Sequence, residues 1–175
     1  NSSSLDIHPD IFNDRVVWQS YVSSVWQIYS YDISSESSEL VSATNTDQVS
    51  PDVSADWIVW SDYRNGNWDI YGVSKGVEYA LVSGEGAQTQ ARVFGDSLVY
   101  VDDVNGNEDV YLYDLVSESY TQISSGSGED LAPDTDGDYI VWQNNDDGHW
   151  DIYSYDISSK ETIILSEEEG DESLP

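Results

Sequence analysis

Residues 55 to 73 read ADWIVWSDYRNGNWDIYGV, and the fold turns on this stretch. Trp57-Ile58-Val59-Trp60 is a short continuous apolar run, the pattern of a strand covered on both faces. Asn65-Gly66 predicts a type I′ hairpin turn after it, because both residues tolerate positive φ. Trp68-Asp69-Ile70-Tyr71 then returns as the antiparallel partner. The flanks supply two more strands, one around Val49 to Val53 and another at about Val77 to Val82. Helix caps and 3.6-residue periodicity are missing from this stretch and from the rest of the sequence.

The same unit recurs along the 175 residues. Trp18, Trp60, Tyr100 and Trp142 hold one register, and Trp26, Trp68, Glu108 and Trp150 hold a second. Each member of the second set leads into an aliphatic-tyrosine pair: Ile28-Tyr29, Ile70-Tyr71, Val110-Tyr111 and Ile152-Tyr153. Pro9, Pro51, Ala91 and Pro133 open successive units 42, 40 and 42 residues apart, and Pro175 stands 42 further on. A fixed period of this size marks stacked or ring-shaped repeats. Four small sheets that each need a neighbour on both faces predict an all-β propeller with four blades of about four antiparallel strands. The whole of 1–175 reads as one domain, with blades over about 9–50, 51–90, 91–132 and 133–174. A two-sheet sandwich would also use many short strands, but nothing in it requires this recurrence. The tryptophans in register are expected in the inter-blade core, which leaves Trp57, off register, as the freest aromatic for ligand contact.

GDYIVWQNNDDGHWDIYSYD at 137 to 156, with the stretch at 55 to 73, resembles the TolB-type propeller repeat. That repeat carries a Pro-Asp-Gly turn, a β-run, an Asp-Gly-Asn hairpin and an Asp-Ile-Tyr strand. The resemblance covers residues 9 to 166 and implies the fold, while such propellers serve as protein-binding modules, enzyme appendages and cell-surface repeats alike. It also implies six or more blades, against the four counted here, and the first unit departs from the motif with Ser20-Tyr21-Val22-Ser23-Ser24.

Five basic against 35 acidic side chains give a net charge of −30, which keeps the molecule soluble and turns away nucleic acid and anionic lipid. With no cysteine, neither disulfides nor thiolate metal sites are available. No apolar run approaches a membrane helix, so no membrane insertion is expected. A start at Asn1 in place of Met fits an exported chain whose signal peptide is gone, extracellular or on the cell surface.

Oxygen donors alternate around a glycine in Asp62, Asn65, Asn67 and Asp69, and again in Asp102, Asn105, Asn107 and Asp109. Such a set suits a hard cation, so Ca²⁺ is the one cofactor the sequence allows for, but Asn-Gly turns alone account for the same residues. Asp134-Thr135-Asp136-Gly137-Asp138 reads as an inter-strand turn. His8 and His149 fall at different repeat positions, with no catalytic motif beside either, and no catalytic residue is expected.

Function is expected to lie in assembly. Residues 1–8 align with the inter-blade linker at 43–50, and 167–174 with that at 125–132, so both ends carry a linker while a closed ring of four leaves one vacancy. The spare end, through Leu5, Ile7 and His8 or through Glu172, Leu174 and Pro175, is expected to join the next copy into a filament or array. The alternative is a secreted recognition module binding a protein or glycan on one propeller face. A carboxylate-based glycosidase or lyase comes third.

Overall fold

The computed structural model describes residues 5–166. These form 16 strands in four four-stranded antiparallel sheets, each continuous in sequence. Blade 1 comprises β1 (Leu5–Phe12), β2 (Arg15–Val22), β3 (Val25–Asp32) and β4 (Ser37–Leu40). Blade 2 comprises β5 (Gln48–Val53), β6 (Ile58–Asp62), β7 (Asp69–Ser74) and β8 (Val77–Val82). Blade 3 comprises β9 (Gln88–Phe94), β10 (Ser97–Asp102), β11 (Asp109–Asp114) and β12 (Ser119–Gln122). Blade 4 comprises β13 (Asp130–Thr135), β14 (Tyr139–Asn144), β15 (Asp151–Asp156) and β16 (Glu161–Ile164). No described helix is long and apolar enough to cross a membrane.

The blades therefore begin earlier than the spacing suggested, because Pro9, Pro51, Ala91 and Pro133 lie inside the first strand of each. His8, Ser50, Gln90 and Ala132, each preceding Pro or Ala91, take positive φ of 50 to 54°. The register shifts there, between Ile7 and Asp10, Val49 and Asp52, Leu131 and Asp134, and opposite Val99 to Val101. A β-bulge leaves one residue out of the ladder, so a proline there costs no hydrogen bond.

The hairpin turns also differ from expectation. Gly66, Gly106 and Gly148 donate N–H to Tyr63, Asp103 and Asn145 O, so each turn starts two residues before the Asn-Gly or Asp-Gly pair, and only its glycine has positive φ. The physical cause is the side chain at the strand end. Asp62, Asp102 and Asn144 each accept the N–H two residues ahead, from Arg64, Val104 and Asp146, and this Asx-turn opens a six-residue loop. Blade 1 has Ser20 at that register, and its strands run on until Val22 pairs with Val25. The two-residue turn between them, Ser23-Ser24, has φ of 54 and 73°, so the I′-like geometry occurs where no glycine announces it.

Three buried apolar clusters lie between successive blades. Val17 and Ile28 of blade 1 meet Val53, Ile58, Trp60 and Tyr71 of blade 2. Val59 and Ile70 meet Val93, Leu98, Tyr100 and Tyr111, and Val99 and Val110 meet Ile140, Trp142 and Tyr153. Among the described residues no such cluster joins blade 4 to blade 1, and their strands form no comparable interface. The described residues thus stack as an open arc, not as the closed ring in which every sheet has two neighbours.

Candidate functional site

The two sets of hairpin residues weighed as either cation loops or plain turns make hydrogen bonds to one another, to neighbouring side chains and to the backbone. Asp62, fully buried, takes hydrogen bonds at Oδ2 from Gln48 (2.9 Å), Trp60 Nε1 (3.0 Å) and Arg64 (2.6 Å). Asn65 donates to Asp69 (2.6 Å) and to the Tyr71 hydroxyl (3.1 Å), while Asn67 donates to Gly84 O and Gly86 O, both at 2.8 Å. In the next blade Asn105 donates to the Tyr111 hydroxyl (2.9 Å), and Asn107 donates to Asp109 and Gly128 O, both at 2.9 Å. Gln88 holds Asp102 at 3.1 Å. The asparagines thus present N–H groups, and Asn67 and Asn107 clamp the linker to the following blade. Among the described residues no three His, Cys, Asp or Glu side chains are grouped to hold a metal ion.

The arc's inner edge forms a groove of about 310 Å³, lined by His8, Asp10, Ser50, Asp52, Gln90 and Arg92 among others. The bulges aim side chains across the blade joints. Asp10 accepts Val53 N–H at 2.9 Å, Asp52 accepts Val93 N–H at 2.7 Å, Gln19 accepts Ser50 N–H at 2.7 Å, and Gln90 accepts Ala132 N–H at 2.8 Å. Burial pushes the Asp52 carboxyl up to about 7, against the opposing pull of the Val93 N–H and of the Arg92 guanidinium 3.8 Å away. These carboxylates were not singled out by sequence, although Pro-Asp at one repeat position was the available signal.

The aromatic residues divide in a way their common period hid. Trp60 and Trp142 are 0 and 2% exposed, as expected for core. Trp26, Trp68 and Trp150 are only half-buried, since their register falls at or just before the start of the third strand, beside the hairpin tip. Tyr21 and Tyr63, 44 and 42% exposed, pack on Trp26 and Trp68 with ring centroids 5.2 and 5.1 Å apart. Trp57 is not the free residue expected. It packs on the cluster between blades 2 and 3 and on Tyr79, in the space left by Gly72, where an added Cβ would lie 3.3 Å from its ring.

Of the residues expected to join copies, Leu5, Ile7 and His8 belong to β1, with Leu5 paired to Tyr21 and Ile7 to Gln19, so they do not form a free arm. Glu172, Leu174 and Pro175 lie outside the described residues. His8 sits on the bulge at the inner groove and His149 on the blade 4 hairpin, with its N–H on Asp147 Oδ1, so the two are in different parts of the fold.

The end blades carry the widest contrast. Ile11 is 59% exposed, whereas Val53 and Val93 at its register are 5% exposed. Val16, Trp18 and Tyr29 on the same face are half-buried, and so are Val141 and Ile152 on the outer face of blade 4, although their interior counterparts are buried.

No family model matches the sequence, and no curated protein matches it. Solved structures do. TolB from Acinetobacter baumannii superposes with a TM-score of 0.76 at 19% identity over 97% of this chain and 45% of that one. A putative TolB from Agrobacterium tumefaciens gives 0.72 at 17% identity, over 87% and 61%. The β-propeller domain of the Trilobed protease from Pyrococcus furiosus, described as having an open velcro topology, gives 0.70 at 14% identity, over 95% and 55%. The present chain thus has the TolB-like propeller fold and spans about half the length of these proteins.

Proposed function

We propose that this propeller is a non-catalytic assembly module that joins copies of itself, outside the cell or on its surface, where counterions screen a net charge of −30. The observation that supports the reading is made on the described residues: apolar and aromatic positions that are buried where two blades meet are half-exposed on blades 1 and 4. Exposed apolar surface of this kind marks an interaction site. The route is through blade faces, in place of the free terminal arm expected from linker counting.

A recognition module is the second reading, favoured by the half-exposed Tyr21–Trp26 and Tyr63–Trp68 pairs, which suit a glycan or protein surface. Light scattering on a concentration series separates the two. Assembly predicts a mass that rises above the monomer with concentration, and a monomer at every concentration overturns it.

A further inference from the structure

One side of the arc collects the hairpin tips and the inter-blade linkers, because Gln48 at the start of β5 pairs with Asp62 at the end of β6. Two Tyr–Trp pairs stand on this side at the same register of neighbouring blades, Tyr21–Trp26 and Tyr63–Trp68. Asp47 ties them together: its Oδ1 accepts the Trp26 N–H at 2.8 Å, and its backbone O accepts that of Tyr63 at 3.0 Å. The four rings therefore stand on adjacent tips. Their exposure does not come from where the sequence begins or ends. Blade 2 has a described blade on each side, yet Tyr63 stays 42% exposed and Trp68 half-buried. Strand alternation likewise puts Tyr21 and Trp26 on the face of Val17 and Ile28, which packs on blade 2. A further blade would add its own tip to this side and leave these rings open, as blade 3 leaves Tyr63 open.

The surroundings of the rings are polar and largely uncharged. Ser42-Ala43-Thr44-Asn45-Thr46, the linker between the pairs, has no ionisable side chain, and its Ser42 Oγ takes a hydrogen bond from Arg64 at 3.4 Å. A partner chosen for positive charge would need acids there, and the first, Asp47, has its Oδ1 on Trp26. In blade 3 Asp103 and Glu108 hold the places of Tyr63 and Trp68, so the row of rings ends on two carboxylates. Flat aromatic faces bordered by hydroxyls and amides, with acceptors at one end, match a pyranose chain. Its C–H face meets the electron-rich face of a ring, and its hydroxyls donate to the acceptors at the edge. A net charge of −30 turns away anionic glycans. Deepening the recognition reading, on which it rests, we infer that this side of the propeller binds a neutral oligosaccharide across Tyr21, Trp26, Tyr63 and Trp68. The site does not require copies to join.

Titration of the full chain with four hexasaccharides, followed by calorimetry and tryptophan fluorescence, tests this. Cellohexaose and chitohexaose are neutral, the glucosamine hexamer is cationic and hexagalacturonate is anionic. At least one neutral hexamer should bind saturably, as well in molar NaCl as in low salt, and hexagalacturonate should not bind. Tyr63→Ala and Trp68→Ala should each weaken binding about tenfold, the loss of one stacked ring. Tyr139→Ala, at a similarly exposed tyrosine on the opposite end of blade 4 from its hairpin tip, should leave binding unchanged. Tyr63 is already exposed, so its replacement leaves the fold intact, and near-UV circular dichroism checks every variant. Neutral binding that both Tyr63→Ala and Trp68→Ala leave intact puts the sugar elsewhere and overturns the inference. Binding of the glucosamine hexamer alone, abolished by salt, makes the attraction one of charge and overturns it too. Failure of both neutral hexamers overturns the glycan assignment. Acrylamide quenching of the emission that Trp26→Phe and Trp68→Phe remove then decides the reading beneath it: accessible rings leave recognition of a protein surface standing, and shielded rings sink recognition as well.

Discussion

Blades 2 and 3 set the same two carboxylates opposite each other on neighbouring strands and surround them differently. Asp62 faces Asp69, and Asp102 faces Asp109, all four buried. Like charges in that position repel. In blade 2 the residue two along is Arg64, whose guanidinium lies 2.6 Å from Asp62, 3.8 Å from the Tyr71 ring centroid and 2.6 Å from Glu78. In blade 3 the corresponding places hold Val104, Tyr111 and Tyr120, with the two tyrosine rings 6.5 Å apart. Burial pushes both carboxyls up. Hydrogen bonds from Arg64, Gln48 and Trp60 outweigh it at Asp62, which ends below the ordinary value, whereas at Asp102 the Val104 N–H and Gln88 do not, and its value is raised. The backbone fixes where the acids stand, and one loop side chain sets the sign of their effect on stability.

The largest expected effect comes from making blade 2 resemble blade 3. Arg64→Val leaves a fully buried carboxylate without its cation, a loss of about 3 kcal/mol at neutral pH. Since the Asp62 value is depressed in the folded state, its contribution is present above the ordinary carboxylate value of about 4 and disappears as pH falls through the folded value. Urea unfolding of wild type and variant should therefore differ most at neutral pH and converge in acid. A difference below about 1 kcal/mol at pH 7 breaks the comparison.

The converse change in blade 3 is smaller. Asp102→Asn removes a carboxylate whose value is raised by burial and keeps an oxygen to accept the Val104 N–H. Blade 4 already has Asn144 at this register, donating to Asp130 at 2.7 Å. A raised value means that the acid's favourable contribution is complete below about 4 and is lost as pH rises through the folded value. The variant should thus be more stable than wild type by about 1 kcal/mol at pH 7, with the advantage fading below pH 4. Thermal melts across that range measure it, and destabilisation at pH 7 would mean that the charged form is better held than its partners suggest.

Periodicity made the sheets legible because every blade repeats the same buried aromatic and aliphatic positions. It could not show depth, so Trp26, Trp68 and Trp150 looked like core until their place beside the hairpin tips was known. Nor could it show closure: Trp18 has the register of Trp60 and needs the same neighbour, but a repeat does not say whether that neighbour is supplied. The prolines were read as boundaries from their spacing, and the bulge that accommodates them depends on residues as unlike as His8 and Ala132. The contrast between Asp62 and Asp102 was hidden because both loops were read through the acids and asparagines they share. Arg64 and Val104, the residues that separate them, stood in the sequence unremarked.

The smallest expected effect asks whether Arg64 needs its second partner. Its contact with Glu78 joins side chains 24 and 34% exposed, where an ion pair contributes little and salt screens it. Glu78→Gln should then cost about 0.5 kcal/mol in low salt and almost nothing in molar NaCl, measured by the same urea unfolding. Arg64 would remain over Tyr71 and bonded to Asp62, because those contacts do not pass through Glu78. If Glu78→Gln instead costs as much as Arg64→Val and the double variant costs no more than either, Glu78 is what holds the guanidinium in place. The charged network of blade 2 would then act as one unit, and Val104→Arg alone could not transfer it to blade 3, where Tyr120 stands at the register of Glu78.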